Sequence, residues 1–163
     1  PRRRRSTTSD GGRTSRHRRL HPDMELSDAL DFVRTHRNGI LITEKSNGRP
    51  QSSNIAYLVD GDDHILISVT DGRAKTANLR RTGRASLHVN RDDFWAYAVL
   101  EADVELSPVA SDPHDATTDA LVEYYRTLVG EHDDWDDYRA AMVREGRLLL
   151  DLTPTRAYGM LQR

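Results

Sequence analysis

The sequence predicts a mainly β protein, an antiparallel β-barrel of six or seven strands with three or four flanking helices. Residues 94–106, expected to form the longest strand, alternate apolar and polar side chains as a half-buried antiparallel strand does. Shorter apolar runs lie close together in the sequence with turn residues between them, so we expect hairpins to join them. The inward face of 94–106 carries Ala96, Ala98 and Ala102, which suit a narrow barrel interior.

The first half of the chain predicts one helix followed by three strands. Apolar side chains recur at helical spacing over 26–37, and Ser27 or Asp28 is a suitable cap at the start. The three strands are expected at 39–43, 51–60 and 64–70. Asn47 and Gly48 favour a tight turn between the first two strands, because they adopt positive φ angles at low cost.

The second half predicts further strands and two more helices. Besides 94–106, strands are expected at 85–90, 148–153 and 155–161. Pro154 is expected to break the last two apart, because proline cannot donate a ladder hydrogen bond. One helix is predicted over 112–130, with Pro113 in its first turn. The next begins at a cap, Asp133 or Asp134, and ends at a glycine.

Composition restricts the classes of protein that this chain can represent. Its 163 residues fit one domain, and the absence of cysteine excludes disulfides, thiolate metal sites and cysteine nucleophiles. The seven histidines show no metal-ligand spacing, so no metal site is predicted. No apolar run approaches the ~20 residues that a membrane helix needs. A cytoplasmic protein without a membrane partner is therefore expected.

Residues 1–23 differ in composition from the rest of the chain. They hold eight of the 24 basic residues and two of the 26 acidic residues, so the remaining domain, 24–163, is acidic. The segment has too few apolar residues to order itself and is predicted to be a disordered extension. An arginine-rich arm that binds nucleic acid is the alternative, although the acidity of 24–163 argues against it. Met24 is a second possible start of the protein.

Positive charge is concentrated in residues 71–81, directly after the strand predicted at 64–70. This turn or short helix contains Arg73, Lys75, Arg80 and Arg81 beside the side chains of Thr76 and Asn78. Free backbone N–H groups at the start of a helical turn and fixed cations both suit a phosphate. We therefore expect a phosphate-bearing cofactor here, although ordinary solvated charges would give the same local pattern.

Four short motifs, in this order, resemble the flavin and deazaflavin oxidoreductase superfamily that includes pyridoxamine 5′-phosphate oxidase. They lie at 48–54, 73–79, 95–98 and 134–139. The resemblance covers about residues 26–161. The last two motifs are typical of the actinobacterial branch that uses coenzyme F420, an 8-hydroxy-5-deazaflavin. The resemblance implies an FMN-binding-like split β-barrel with its cofactor site at a homodimer interface.

The resemblance also implies a set of cofactor-binding residues. These are Gln51, Ser53, Asn54, Ser68, Arg73, Ala74, Lys75, Thr76, Asn78, Trp95 and Tyr97. The residues of this set between 73 and 78 match the segment that binds the phosphate and side chain of the cofactor. Ser68 matches a position near the same side chain. Those of 51–54 match a strand that lies against the ring system. Trp95 and Tyr97 match positions that reach the cofactor from the other subunit, although packing in the core or at the dimer interface would equally explain them.

The function that the resemblance implies is hydride transfer between C5 of the deazaflavin ring and a small planar organic acceptor. The ring carries this chemistry, so no catalytic acid or base is assigned, although Tyr57 and Tyr97 are candidate proton donors. Two alternatives stay open. One is an FMN-dependent enzyme like pyridoxamine-phosphate oxidase, and the other is a non-enzymatic protein that carries F420.

Overall fold

The computed structural model describes residues 23–161. The disordered extension predicted at 1–23 lies outside them, apart from Asp23, whose backbone pairs with Tyr158. The eight strands are β1 (Asp23–Met24), β2 (Asn38–Glu44), β3 (Pro50–Ala56), β4 (Leu58–Val59), β5 (Ile65–Thr70), β6 (Arg84–Asn90), β7 (Tyr97–Leu106) and β8 (Arg147–Met160). The four helices are α1 (Leu26–Arg34), α2 (Ala74–Thr82), α3 (Ala116–Leu128) and α4 (Trp135–Arg144).

The strands form one antiparallel sheet in the order β3-β2-β6-β7-β8-β5-β4, and the short β1 pairs with β8 beside this path. The sheet curls, so that β3 contacts β5 although four strands stand between them in the hydrogen-bonded order. This arrangement confirms the predicted mainly β class and the antiparallel split barrel. None of the helices between residues 23 and 161 is long and apolar enough to cross a membrane.

The alternation predicted for 94–106 is confirmed over β7. Ala98, Leu100 and Val104 are buried in the barrel core, while Asp103 and Glu105 are exposed on the other face. The strand begins three residues later than expected, however. Residues 91–96 form a hairpin loop, in which the N–H of Arg91 donates to the carbonyl of Ala96 and Phe94 has a φ of 63°.

β8 corrects two sequence predictions. It is a single strand of 14 residues, so it is longer than β7, and Pro154 does not divide it. Glu101 of β7 pairs with Arg156 and the next residue, Ala102, pairs with Pro154, so Thr155 is an extra residue on β8. This is a β-bulge, one of the few places where a sheet accepts a proline.

The strand predicted at 51–60 is interrupted at Tyr57. The side chain of Tyr57 is 1% exposed, and its hydroxyl donates to the carbonyl of Val33 in α1 at 2.8 Å. Its N–H donates to the carbonyl of Arg37 instead of to a neighbouring strand. The chain therefore leaves the sheet between β3 and β4 to anchor α1 against the barrel.

The predicted starts of the helices are confirmed only in part. α4 begins at the predicted cap Asp134, whose carboxylate accepts from the N–H of Asp137. α3 begins later than predicted: Asp115 caps it, and Pro113 lies before it. α1 starts at Leu26 with Glu25 at the cap position and no side-chain capping bond, so neither Ser27 nor Asp28 has the expected role.

Two apolar clusters stabilise the described part of the chain. The larger one fills the barrel and includes the fully buried Leu41, Ile67, Leu87, Leu100 and Leu150. The smaller one packs α3 and α4 against the outer side of β8. The barrel and the helical pair thus each have an apolar core of their own.

Candidate functional site

A cleft of about 520 Å³ opens between β3 and β5, and we call it the β3–β5 cleft. One wall is β3 and the other is β5, while the start of α2 and Arg147 of β8 complete the lining. The cleft brings together seven of the predicted cofactor-binding residues, Gln51, Ser53, Asn54, Ser68, Arg73, Ala74 and Lys75. Residues that the family resemblance implied as cofactor-binding therefore converge from three separate elements.

The start of α2 presents backbone N–H groups to the cleft. The first N–H groups of any helix lack an intrahelical acceptor, and Arg73 at the cap position makes no side-chain capping bond to them. Thr76 does not line the cleft: its side chain is 0% exposed and its hydroxyl donates to the carbonyl of Thr70 at 2.9 Å. Thr76 therefore holds the first turn of α2 against the end of β5.

Three cations line the cleft, Arg73, Lys75 and Arg147, and no carboxylate side chain lines it. Within residues 23–161, the side chains of Arg73 and Lys75 have no ion pair or hydrogen bond. Burial, followed by the positive charges of Arg73 and Arg147, holds the pKa of Lys75 below its usual value. Arg147 is paired with Glu145, whereas Arg73 and Lys75 lie close together without a counterion among the described residues. This end of the cleft is therefore suited to an anion.

Other basic side chains of the same segment face elsewhere. Arg80 forms an ion pair with Asp71, and Arg81 donates to the carbonyl of Glu44. Both therefore hold α2 against its surroundings. The anion-binding character of the segment rests on Arg73 and Lys75.

The β3 wall carries a row of polar side chains. Nε2 of Gln51 donates to Oγ of Ser53 at 2.6 Å and to the carbonyl of Ser52 at 2.9 Å. Asn78, predicted as a cofactor ligand, does not line the cleft; its Nδ2 donates to Oγ1 of Thr43 at 3.0 Å. Since Thr43 also bonds Gln51, Asn78 connects to the cleft through two intermediate side chains.

Trp95 and Tyr97 do not reach the cleft of their own chain. Trp95 lies in the loop before β7 with its side chain 65% exposed. The ring of Tyr97 lies 5.4 Å from the ring of His88 on the neighbouring strand. Neither residue is among those that line the β3–β5 cleft.

Tyr57 is not a proton donor to the cleft, which corrects that part of the sequence interpretation. Its hydroxyl is bonded to Val33 in the core, and burial raises its pKa further above the ordinary value. Tyr124 of α3 behaves similarly: its hydroxyl donates to the carbonyl of Ala56 at 3.2 Å, and burial raises its pKa. Both phenols are neutral structural groups.

Sequence reasoning missed two residues, Arg147 and Thr43. Arg147 reaches the cleft because it pairs with Thr70 across β8 and β5, a long-range register that no local motif reveals. Its Nε donates to Oε2 of Glu145 at 2.9 Å. Thr43 resembles any strand threonine, and only its 2% exposure distinguishes it.

Comparisons with known proteins agree with this architecture. Residues 27–161 match the family model for pyridoxamine 5′-phosphate oxidase. A conserved hypothetical protein from Mycobacterium tuberculosis has a similar structure, with 22% identity, a TM-score of 0.64, and coverage of 83% of this chain and 84% of that chain.

Two further solved structures illustrate the range of functions on this fold. A protein described as an F420 reductase is 20% identical, with a TM-score of 0.56 and coverage of 74% of this chain and 88% of that chain. The heme storage protein of Vibrio cholerae is 13% identical, with a TM-score of 0.58 and coverage of 81% and 92%. At these identities the structural matches show a shared fold. The family match spans most of the sequence, and the chain therefore belongs to the pyridoxamine 5′-phosphate oxidase family.

Proposed function

We propose that this chain is an oxidoreductase that holds coenzyme F420 in the β3–β5 cleft. In this proposal a hydride passes between the cofactor and a small planar organic acceptor. The phosphate of the cofactor lies at the start of α2, and its ring system lies along the β3 wall. Two copies of the chain form a homodimer that completes each site.

The observation that carries the proposal is the charge of the cleft. Arg73 and Lys75 have no counterion among residues 23–161, and Arg147 lies close enough to lower the pKa of Lys75. These cations meet the N–H groups of the α2 terminus, and both kinds of donor recognise phosphate. The volume of about 520 Å³ is within the range of small-molecule and cofactor sites.

The residues of the chain have binding and orienting roles in this proposal. When bound, the deazaflavin ring would supply the hydride chemistry. The cations fix the anionic end, while Gln51 and Ser53 offer polar groups along the opposite wall. Because no ionisable side chain other than the three cations lines the cleft, we assign no acid or base to this chain.

The exposed aromatic loop supports the homodimer. Phe94 and Trp95 are 76% and 65% exposed at the hairpin before β7. Large exposed aromatic side chains are enriched at protein interfaces. In the proposed dimer, Trp95 and Tyr97 of each copy contact the cofactor bound by the other.

Two alternatives follow from the same geometry. FMN also carries a phosphate, so the cations of the cleft suit it equally. The fold is shared with a heme storage protein, so binding without catalysis is a second alternative for this chain. The structural similarity to a protein described as an F420 reductase, together with the motifs at 95–98 and 134–139, favours F420.

The decisive experiment titrates the purified protein separately with F420, FMN and hemin, followed by fluorescence or absorbance. We expect saturable binding of F420 that is stronger than binding of FMN. Reduced F420 is then offered with a panel of quinones, enones and nitroaromatics, and oxidation of the cofactor is followed. Tight F420 binding without turnover on any acceptor would favour a carrier, and preferred binding of FMN or hemin would overturn the F420 assignment.

A further inference from the structure

We propose that the hydroxyl of Ser53 donates a hydrogen bond to the bound cofactor. A relay of hydrogen-bonded side chains that begins in α2 fixes the direction of this bond. The relay consists of Asn78, Thr43, Gln51 and Ser53. The inference rests on the proposed cofactor site and specifies the chemistry of one ligand group. The atom of the ligand that meets Ser53 is a hydrogen-bond acceptor, such as a carbonyl oxygen or an unprotonated ring nitrogen.

The relay crosses three elements through short contacts. Nδ2 of Asn78 in α2 lies 3.0 Å from Oγ1 of Thr43 in β2. Oγ1 of Thr43 lies 3.0 Å from Oε1 of Gln51 in β3, and Nε2 of Gln51 lies 2.6 Å from Oγ of Ser53. The relay begins at Asn78 in α2, the helix that carries Lys75, and ends at Ser53 in the cleft.

The direction of the relay follows from one backbone carbonyl. The oxygen and nitrogen of a glutamine side chain have the same shape, so only their partners distinguish them. The carbonyl oxygen of Ser52 lies 2.9 Å from the Gln51 amide, and a carbonyl can only accept. The nitrogen of Gln51 must therefore point to Ser52 and Ser53, and its oxygen must point to Thr43.

The remaining bonds are then determined. Oε1 of Gln51 can only accept, so the hydroxyl of Thr43 donates to it, and Thr43 in turn accepts from Asn78. The second proton of Nε2 goes to Oγ of Ser53. Because Ser53 accepts this bond, its own proton remains available, and no other described residue within 23–161 receives it.

A ligand that covers Ser53 excludes water from it. A hydroxyl proton left without an acceptor under a ligand costs free energy, so the site selects a ligand that supplies an acceptor there. Thr43 is the positioning residue of this arrangement. Its hydroxyl is 2% exposed and uses both its donor and its acceptor capacity, so it also fixes the β3 wall relative to α2.

The test measures affinity for F420 and FMN by fluorescence titration in matched variants. Ser53→Ala should weaken binding about five- to tenfold, while Ser52→Ala, on the outward side of the same strand, should leave it unchanged. Thr43→Val should weaken binding by a similar factor, and Thr43→Ser, which keeps the hydroxyl, should restore it. In the Ser53→Ala background, Thr43→Val should add less than a twofold loss.

Gln51→Glu tests the direction of the relay. A carboxylate only accepts, so it would take the proton of Ser53 away from the ligand. The loss caused by Gln51→Glu should therefore be larger with Ser53 present than in the Ser53→Ala background, which reports the effect of the added charge alone. Equal losses in both backgrounds would show that Ser53 does not donate to the ligand.

The possible failures are distinguishable. Wild-type protein that binds neither F420 nor FMN would overturn the proposed function and this inference with it. Wild-type protein that binds a cofactor, together with a Ser53→Ala variant of equal affinity, would overturn the inference alone. If Thr43→Val lowered the affinity for cofactor equally in the wild-type and Ser53→Ala backgrounds, Thr43 would have only a general structural role. That result would contradict the relay.

Discussion

The hydroxyl of Thr76 donates to the carbonyl of Thr70 at 2.9 Å, and this bond ties the first turn of α2 to the end of β5. The N–H of Arg73 donates to the same carbonyl at 3.3 Å. Helix and strand are therefore fixed relative to each other at the point where Lys75 enters the cleft. A cation on a rigid element loses less conformational entropy on binding an anion than one on a mobile loop.

Replacing Lys75 should remove much of the affinity for a phosphate-bearing cofactor. We expect Lys75→Ala to weaken binding about tenfold or more, because a charge-assisted contact to phosphate is lost. Lys45→Ala is the matched control, since Lys45 is the only other lysine and lies outside the cleft. Fluorescence titration of both variants checks this, and an unchanged affinity of Lys75→Ala would exclude the phosphate contact.

Arg147 should contribute to the same anion site although it is distant in sequence. We expect Arg147→Gln to weaken binding of FMN or F420 about three- to tenfold and to leave binding of riboflavin, which has no phosphate, unchanged. Arg144→Gln, at the exposed end of α4, is the control.

A second measurement of Arg147→Gln needs no cofactor. The charge of Arg147 helps to lower the pKa of Lys75, so its removal should raise that pKa towards the usual 10.5. NMR of ¹³C-labelled lysine resolves this easily, because the chain contains only Lys75 and Lys45. A pKa of Lys75 that does not move would place Arg147 too far away to act on the same anion.

If the cofactor site is shared by two copies, damaged subunits should complement each other. Lys75→Ala removes the phosphate contact of one wall, and Trp95→Ala removes the proposed contact from the partner. The homodimer of either variant should bind the cofactor weakly. A mixed dimer, in contrast, contains one site in which both Lys75 and Trp95 are intact. We expect mixing and refolding the two variants to recover part of the binding capacity, measured by titration. No recovery, or a monomer in sedimentation, would contradict a shared site.

His64 and Asp151 should make stability depend on pH. Nδ1 of His64 donates a hydrogen bond to the carboxylate of Asp151 at 2.7 Å, and this bond and the charge of Asp151 raise the pKa of His64, with smaller contributions from Asp60 and Asp62. The folded-state pKa lies above the unfolded value, so the stabilisation is fully present below about pH 6.5 and is lost as pH rises through the folded pKa. Compared with His64→Gln, the wild type should lose free energy of unfolding in urea titrations as pH rises from about 6.5 through the higher folded-state pKa of His64. Parallel pH profiles of the two proteins would refute this coupling.

Gly159 should be required for the pairing of β7 with β8. A Cβ at this position would lie 2.3 Å from the carbonyl oxygen of Tyr97, which is backbone and cannot rotate away. We expect Gly159→Ala to destabilise the fold by about 2–4 kcal/mol, measured by urea unfolding. Gly61→Ala, where an added Cβ meets nothing within 4 Å, should be close to neutral. A neutral Gly159→Ala would mean that the two strands separate at little cost.

Part of the fold follows from local sequence because several strands show local hydrophobic patterns. Alternation over β7 and the apolar run of β5 depend only on neighbouring residues, so they were predictable. The hairpin loop at 91–96 was not, because its alternation continues that of β7 while Phe94 adopts a positive φ. Side-chain pattern alone does not report a backbone reversal.

The candidate site was predictable where its residues are adjacent in sequence. Arg73 and Lys75 lie two positions apart at a helix start, and the resemblance pointed to Gln51 and Ser53. Arg147 was not predictable, because its place in the cleft depends on the register of β8 with β5. The indirect roles of Thr76 and Asn78 also depend on side-chain packing that a motif does not encode.

The bulge in β8 changes which residues of that strand face inwards. Even-numbered residues such as Leu148, Leu150 and Leu152 are buried before it, and odd-numbered Ala157 and Gly159 are buried after it. The extra residue Thr155 thus changes the inward-facing positions from even to odd numbers. Deleting one residue from the second half of β8 would turn the small inward side chains towards solvent. The length of this segment is consequently constrained as tightly as its composition, and gaps in related sequences should be tolerated in the surrounding loops rather than here.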